Sequence, residues 1–382
     1  MHFWDLIEKP IIGLSPMDGV TDASFRRVAA RYGRPDLCMT EFTSVEAICC
    51  GAEGFVRDLS YGDYERPVLA QIYGRTTESF YQVAHIVCEL GFDGLDINMG
   101  CPAKNVANKG CGAGLIRTPE LAVSIIRAAR RGLEDWAAGQ RLEDVGLAPE
   151  VVERVRHMNR GRARPEARQL IPLSVKTRVG YDKVEVDEWI PVLLGERPAA
   201  LSLHGRTLKQ MYRGLADWDA IHRAVELARD LPTLVLGNGD LKSMSDAVER
   251  VRQTGVDGVL LGRGAMGNPW VFRDKQWAKD TLAGISSPGG AGLDVGQEER
   301  TRVLLEHSRH FESLWGEQRF PAMRKHLAWY CKGFRGAAQW RARMVRARNA
   351  DEVARIVGAE DNAASHADPA LALPAADPAA MA

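Results

Sequence analysis

The chemistry in this chain starts from a thiol. Cys101 stands in the run Asp96-Ile-Asn-Met-Gly-Cys-Pro-Ala-Lys104, with the glycine-rich Lys109-Gly-Cys-Gly-Ala-Gly-Leu115 close behind. Proline lacks a backbone donor and fixes its own φ, so a cysteine followed by Pro102 cannot sit inside a regular ladder or helix. If Gly94-Leu-Asp-Ile97 is a short buried strand, the chain turns out of it at Cys101 and presents the thiol at the strand's C-terminal edge. An inert core cysteine is the competing reading. The polar neighbours Asn98, Lys104, Asn105 and Asn108 weigh against it, because they are costly to bury around an idle thiol.

Two further groups have a definable job. Gly237-Asn-Gly-Asp240 and Leu261-Gly-Arg-Gly264 each follow an apolar segment. Their glycines let backbone N–H groups approach an anion, and Arg263 adds a charge-assisted pair, which together suit a phosphate. Two tight turns would use glycine in the same way. Lys176 lies in the apolar segment Leu173 to Arg178, an expensive place for an ammonium unless it faces something electron-rich. Schiff-base formation and the holding of negative charge on a reduced flavin ring are both open to it. His204, in Leu203-His-Gly-Arg-Thr207, is flanked by glycine and arginine, which favours a site over the core.

These residues need a frame. Eight apolar segments recur: Ile11 to Met17, Asp36 to Phe42, Val68 to Tyr73, Gly94 to Asn98, Leu173 to Arg178, Ala200 to Gly205, Thr233 to Gly239 and Gly258 to Arg263. Their near-continuous apolar character is that of strands covered on both faces. Amphipathic stretches lie between them; Thr118 with Pro119 opens one helix that Gly132 would end, and Thr21 or Asp22 opens another that Gly33 would close. Alternation of this kind predicts α/β architecture, a (β/α)₈ TIM barrel, with a doubly wound open sheet as the alternative. In a barrel the segment ends form one rim: Pro16 and Met17, Glu41, Gln71, Asn98 and Cys101, Lys176 and Arg178, His204, Asn238 to Asp240, Gly262 and Arg263.

The barrel is expected over 1–285, with an insertion at about 132–170 that holds a candidate helix, Pro149 to Met158, and an arginine-rich stretch around His157 to Arg168. A solvated rim insertion is favoured over an RNA contact. A Gly/Ser/Pro linker, Ser286 to Gly292, leads to a helical domain at 293–358, and 359–382 is expected to be disordered. From Gln318 to Ala350 there are nine Lys or Arg side chains and no acid, interleaved with Phe320, Trp329, Tyr330, Phe334 and Trp340. Overall the 50 basic and 50 acidic side chains cancel, so the hint of a polyanionic partner comes from local clustering, above all in this basic stretch. Seven cysteines without a CxxC pair suggest neither a zinc site nor a disulfide framework. No metal, no membrane span and a cytoplasmic location are the expectations.

Taken together, Pro16-Met-Asp-Gly-Val-Thr-Asp22, Asp96 to Pro102, Ser174-Val-Lys-Thr-Arg-Val-Gly180, His204-Gly-Arg-Thr207 and Gly237 to Asp240 resemble the tRNA-dihydrouridine synthases. Met323-Arg-Lys-His-Leu-Ala-Trp-Tyr330 is similar to that family's helical C-terminal domain. The resemblance covers roughly 10–350. It implies an FMN-bound barrel that reduces tRNA uridine to 5,6-dihydrouridine, with NADPH or NADH as hydride source. By motif, Cys101 is implied as the general acid, delivering a proton to C5 while hydride adds to C6; a thiol with a pKa near 8.5 is mostly protonated at neutral pH and suits the role. Pro16, Met17, Asp18, Gln71, Lys176, His204, Asn238, Gly239, Asp240, Gly262 and Arg263 are implied at FMN. Asn98, Arg178, Arg324 and Lys325 are implied at the tRNA. Cys111 departs from the family pattern, where a small residue is expected, as does the insertion. An FMN oxidoreductase acting on a free pyrimidine such as dihydroorotate is the alternative, and a tRNA-binding protein with a silent barrel a third.

Overall fold

The computed structural model describes residues 2–160, 168–285 and 295–365. The expected linker at 286–292 and residues 366–382 of the tail expected to be disordered lie outside these residues, whereas 359–365 of that tail continue the helix Ala350–Ser365. The chain forms two compact units, Met1–Val295 and Gly296–Ala382.

The first unit is a (β/α)₈ barrel. Its strands are β1 (Ile11–Leu14), β2 (Cys38–Met39), β3 (Thr43–Ser44), β4 (Val68–Tyr73), β5 (Gly94–Met99), β6 (Leu173–Arg178), β7 (Ala200–His204), β8 (Leu234–Asn238) and β9 (Gly258–Leu261). All pairings are parallel, in the order β1-β9-β8-β7-β6-β5-β4-β2, with β3 paired to the far end of β4. The ring closes between β1 and β2, where Asp36 N donates to Ile12 O at 2.8 Å and Leu14 N donates to Leu37 O at 3.0 Å. A doubly wound sheet has two free edges; here that seam joins them.

Alternation along the strands divides the barrel interior into two storeys. Ile11, Met39, Leu69, Ala200, Leu236 and Leu260 pack into one fully buried cluster that Trp4 caps from the N-terminal side. Residues two positions further along a strand share its face. The same inward face therefore carries Gln71 above Leu69, Ser202 and His204 above Ala200, Asn238 above Leu236 and Gly262 above Leu260. The lower storey is apolar and sealed; the upper one is polar. Residues of the other parity, such as Ile72, Ile97, Val175, Leu201, Val235 and Val259, pack outward in a continuous cluster shared with the helices.

Two expectations change in detail. The helix opened by Pro119 runs to Ala137 and passes through Gly132. A Cβ at Gly132 would lie 2.4 Å from Tyr81 O and 2.8 Å from Ala84 Cβ, so this glycine serves close helix packing and not a stop. The insertion, with its helix Pro149–Met158, buries Val145, Val151, Val152 and Val155 against the main cluster. Residues 161–167 of the expected arginine-rich stretch lie outside the described residues, and Arg160 is exposed, but three arginines of the insertion face the protein's own groups. Arg156 pairs with Glu143 and Glu153, Arg154 donates to Gly51 O, and Arg168 stacks on Trp136 while donating to Gln140 O. That pattern fits a packed rim element.

The second unit is helical: Gln297–Trp315, Arg324–Tyr330, Ala337–Met344 and Ala350–Ser365. Phe311, Phe320, Leu327, Tyr330, Trp340 and Met344 are buried in it. Arg319, Lys332, Arg335, Arg341, Arg343 and Arg346 are exposed. Aromatic and basic residues thus alternate because they face opposite ways.

Candidate active site

The upper storey gathers polar groups from adjacent strand ends. Strand register sets Gln71 beside Asp96, Asn98 beside Lys176, Lys176 beside Ser202, and Arg178 and Asn238 on either side of His204. Two hydrogen-bonded groups result.

The first holds the cysteine. Beyond Met99 the chain turns, and Asn98 Oδ1 accepts from Gly100 N at 3.1 Å and Cys101 N at 2.8 Å. Asn98 Nδ2 in turn donates to Gln71 Oε1 at 2.9 Å, and Gln71 Nε2 to Asp96 Oδ2 at 2.7 Å. Ser174 Oγ donates to the other Asp96 oxygen at 2.8 Å. Burial lifts the Asp96 pKa to about 6 against the pull of these two donors, so the carboxylate is ionised at neutral pH. On the outer side of the turn, Arg178 Nε donates to Gly100 O at 2.6 Å and Nη1 to Thr207 O at 3.2 Å. Arg178 therefore ties the cysteine turn to the loop after β7. Cys101 is 7% exposed, and burial pushes its thiol pKa up, partly countered by a backbone hydrogen bond from Ala103. The thiol is protonated at neutral pH.

The second group surrounds Lys176. Its Nζ donates to Asn238 Oδ1 at 3.2 Å, while Asn238 Nδ2 donates to Leu260 O at 2.8 Å. Burial, with Arg178 nearby, lowers the Lys176 pKa to about 8. His204 is pushed well below its ordinary value by burial and by Arg178 and Lys176, so its imidazole is neutral.

The glycine turns follow β8 and β9. Gly239 has φ +140, where a side chain is strained, and a Cβ there would lie 2.5 Å from Ala216 Cβ. A Cβ at Gly262 would lie 3.1 Å from Met17 Sδ, which places the β1 loop against the last turn. Asp240, at φ 57, accepts from Arg206 Nη2 at 2.7 Å, from Arg263 Nη2 at 2.7 Å and from Ala216 N at 2.8 Å. Its carboxylate faces cations of this chain, and one edge of the half-exposed Arg263 is engaged with it.

Gln71, Asn98, Cys101, Lys176, Arg178, His204 and Asn238 are thus brought into one storey, with Met17, Gly239 and Gly262 at its rim. Pro16 is half-buried and Asp18 exposed. Arg324 and Lys325 belong to the second unit, where Arg324 Nε donates to Ala347 O at 2.8 Å. Cys111 shares a small buried cluster with Cys101 and Val106, and burial raises its pKa too. Sequence reading passed over two residues. Arg206, 2% exposed, holds Asp240, and Asp96, fully buried, anchors the amide chain. A charged residue inside an apolar segment was the available signal for Asp96, the same one that singled out Lys176.

Fold and site define a parallel barrel with its polar groups gathered at the C-terminal ends of its strands, where barrel enzymes carry their chemistry. The chain belongs to the dihydrouridine synthase family, whose model matches residues 13–136 and 151–367. It is 33% identical over 357 residues to the probable tRNA-dihydrouridine synthase 2 of Bacillus subtilis, covering 92% of this chain and 94% of the relative. It is 32% identical over 364 residues to a probable tRNA-dihydrouridine synthase of Staphylococcus epidermidis, covering 93% and 95%. Among solved structures, the ferulenol-bound DHODH of Eimeria tenella overlaps 63% of this chain and 65% of its own at 17% identity and a TM-score of 0.40, too slight a likeness to bear on activity. Among the described residues no group of three or more His, Cys, Asp or Glu side chains suits a metal ion, and no helix is long and apolar enough to cross a membrane.

Proposed function

We propose that this protein reduces uridines in tRNA to 5,6-dihydrouridine, with FMN held in the upper storey of the barrel and NADPH, or NADH, as its reductant. The observation that carries the reading is the register that sets Asn98, whose side chain holds the N–H of Cys101, beside Lys176, whose ammonium is held by Asn238.

The donor set fits a flavin. Lys176 would supply positive charge to balance that of a reduced isoalloxazine, and Gln71, His204 and Asn238 carry amide and imidazole groups that would hold the ring's polar edge. Gly239, Gly262 and Arg263 line turns of the kind that take a phosphate, with Pro16, Met17 and Asp18 across from them. Asp240 contributes by orienting Arg263 and Arg206. A flavin held by these residues would, once reduced, be the source of the hydride for C6 of a uracil. The chain's own part is the proton at C5: Cys101 Sγ–H gives it up from the opposite face of the base, and Arg178 and Asn98 keep that thiol in place while meeting the pyrimidine. A uridine must leave its stack to reach a storey this deep, so the polynucleotide needs a separate grip. The exposed arginines and lysines of the second unit, with Arg324 and Lys325, supply it through the phosphates.

The test is nucleoside mass spectrometry on unmodified tRNA incubated with the holoprotein and NADPH, beside a Cys101→Ala control. Dihydrouridine with the wild type and a large loss in the variant is expected. Absence of dihydrouridine on a broad tRNA pool, with flavin that NADPH reduces, would overturn the tRNA reading and promote the free pyrimidine.

A further inference from the structure

We infer that Asp96 is a positioning residue for Cys101, acting through the side-chain amides of Gln71 and Asn98. The inference rests on the reading of Cys101 as the proton donor.

The chain of contacts runs from an obligate acceptor to obligate donors. Asp96 is fully buried, and its carboxylate only accepts. The edge of Gln71 that faces it at 2.7 Å is therefore the NH₂, which turns Gln71 Oε1 toward Asn98. Asn98 answers with its own NH₂ at 2.9 Å, and its Oδ1 is left facing the backbone N–H groups of Gly100 and Cys101. Each amide has one donating and one accepting edge, so a single acceptor at Asp96 sets the orientation of both. Reversing Gln71 would set its oxygen against the Asp96 carboxylate and its NH₂ against that of Asn98; reversing Asn98 would set NH₂ against the N–H of Cys101 and push the turn outward. Ser174 Oγ, at 2.8 Å from the second carboxylate oxygen, holds Asp96 in place from β6. The carboxylate does not touch the cysteine, yet it decides which atom of Asn98 does.

The prediction is a reversal that simple damage would not produce. In Gln71→Glu two acceptor-only groups face one another, so dihydrouridine formation by the pre-reduced enzyme should fall about a hundredfold, the scale of a misplaced catalytic group. Asp96→Asn alone frees the amide at position 96 to take either orientation, and about a tenfold loss is expected. Combined, Asp96→Asn with Gln71→Glu moves the acceptor one link along. The new amide at position 96 and the NH₂ of Asn98 both donate to the new carboxylate at position 71, and Ser174 donates to the oxygen of the new amide. The double variant should run at least about tenfold faster than Gln71→Glu. A second readout does not use turnover: Cys101 alkylation by iodoacetamide, mapped by peptide mass spectrometry, should speed up in Gln71→Glu and return toward the wild-type rate in the double variant.

Losses that simply multiply in the double variant, the pattern of independent damage, would overturn the inference. If Gln71→Glu fails to accumulate as folded protein, the double variant must accumulate and turn over; its failure overturns the inference equally. Cys101→Ala in the same assay separates the two readings. Full activity there would remove Cys101 as proton donor, whereas loss there with no rescue in the double variant would remove Asp96 alone.

Discussion

Replacing Lys176 with methionine should stabilise the protein without its cofactor while abolishing its activity. The fall in the Lys176 pKa from 10.5 to about 8 means that the folded protein resists the charged form. At about 1.4 kcal/mol for each tenfold, burying the ammonium costs about 3 kcal/mol. The residue is not fully buried, and solvent screening trims the cost to about 2 kcal/mol. Methionine loses the bond to Asn238, worth about 1 kcal/mol, and regains a similar amount by burying apolar surface. The net gain of about 2 kcal/mol corresponds to a rise in melting temperature of roughly 4 °C for a unit of this size. The sign with pH follows from the direction of the shift. Because the folded pKa lies below the unfolded one, the penalty is complete below about pH 8 and disappears as pH rises through 10.5. Thermal melts of flavin-free wild type and Lys176→Met at pH 7 and at about pH 10.5 would show the variant ahead in the first and level in the second. Dihydrouridine formation by the reconstituted variant should fall by more than about a hundredfold. A variant that melts below wild type at pH 7 would show the ammonium to be a stabilising group, and one that keeps its activity would show it to be idle.

Other expectations concern the thiols and the second unit. Cys101→Ala should lower dihydrouridine formation by about 10²- to 10⁴-fold with flavin still bound, whereas Cys111→Ser should stay within about twofold, as judged by single-turnover reoxidation of reduced flavin by tRNA. Since burial holds the Cys101 thiol above its ordinary value, that reoxidation rate should stay level through neutral and mildly alkaline pH; a decline centred near neutrality would point to a different acid. In the second unit, burial drives the His307 pKa down to about 3 and that of His326 well below 6.5. Folded pKa values below the unfolded one make this unit lose stability as pH falls below 6.5, with His307 alone contributing about 2 kcal/mol at pH 5. Calorimetry of the full chain should show its transition move down at pH 5, and His307→Gln should flatten that dependence.

Much of the architecture was legible because its cues are local. A strand covered on both faces is apolar throughout, and all eight predicted segments overlap strands, Val68–Tyr73 and Leu173–Arg178 with the same bounds. Pro149 marked the start of the insertion's helix because proline suits a first helical turn. Gly132 was misread for the opposite reason. A glycine that ends a helix and one that lets a neighbouring backbone approach look alike until Tyr81 is seen against it. The roles of the insertion's arginines were equally hidden, since partners such as Gly51 and Trp136 are distant in the chain.

By itself the sequence determined the class of the molecule: a parallel α/β sheet, polar groups at the ends of its strands, a thiol forced out of β5 by Pro102 and a basic helical stretch after it. Those features follow from residue type and short spacing, which survive in one dimension. Only the tertiary structure decided that the ring closes at Asp36 and Leu37, that the inward face changes from apolar to polar halfway up, and that Asp96 governs the cysteine turn. An amide side chain has no preferred direction of its own. What stands opposite it does the choosing, and here the chooser sits 25 residues from Gln71 in sequence and is steadied by Ser174 from 78 residues away.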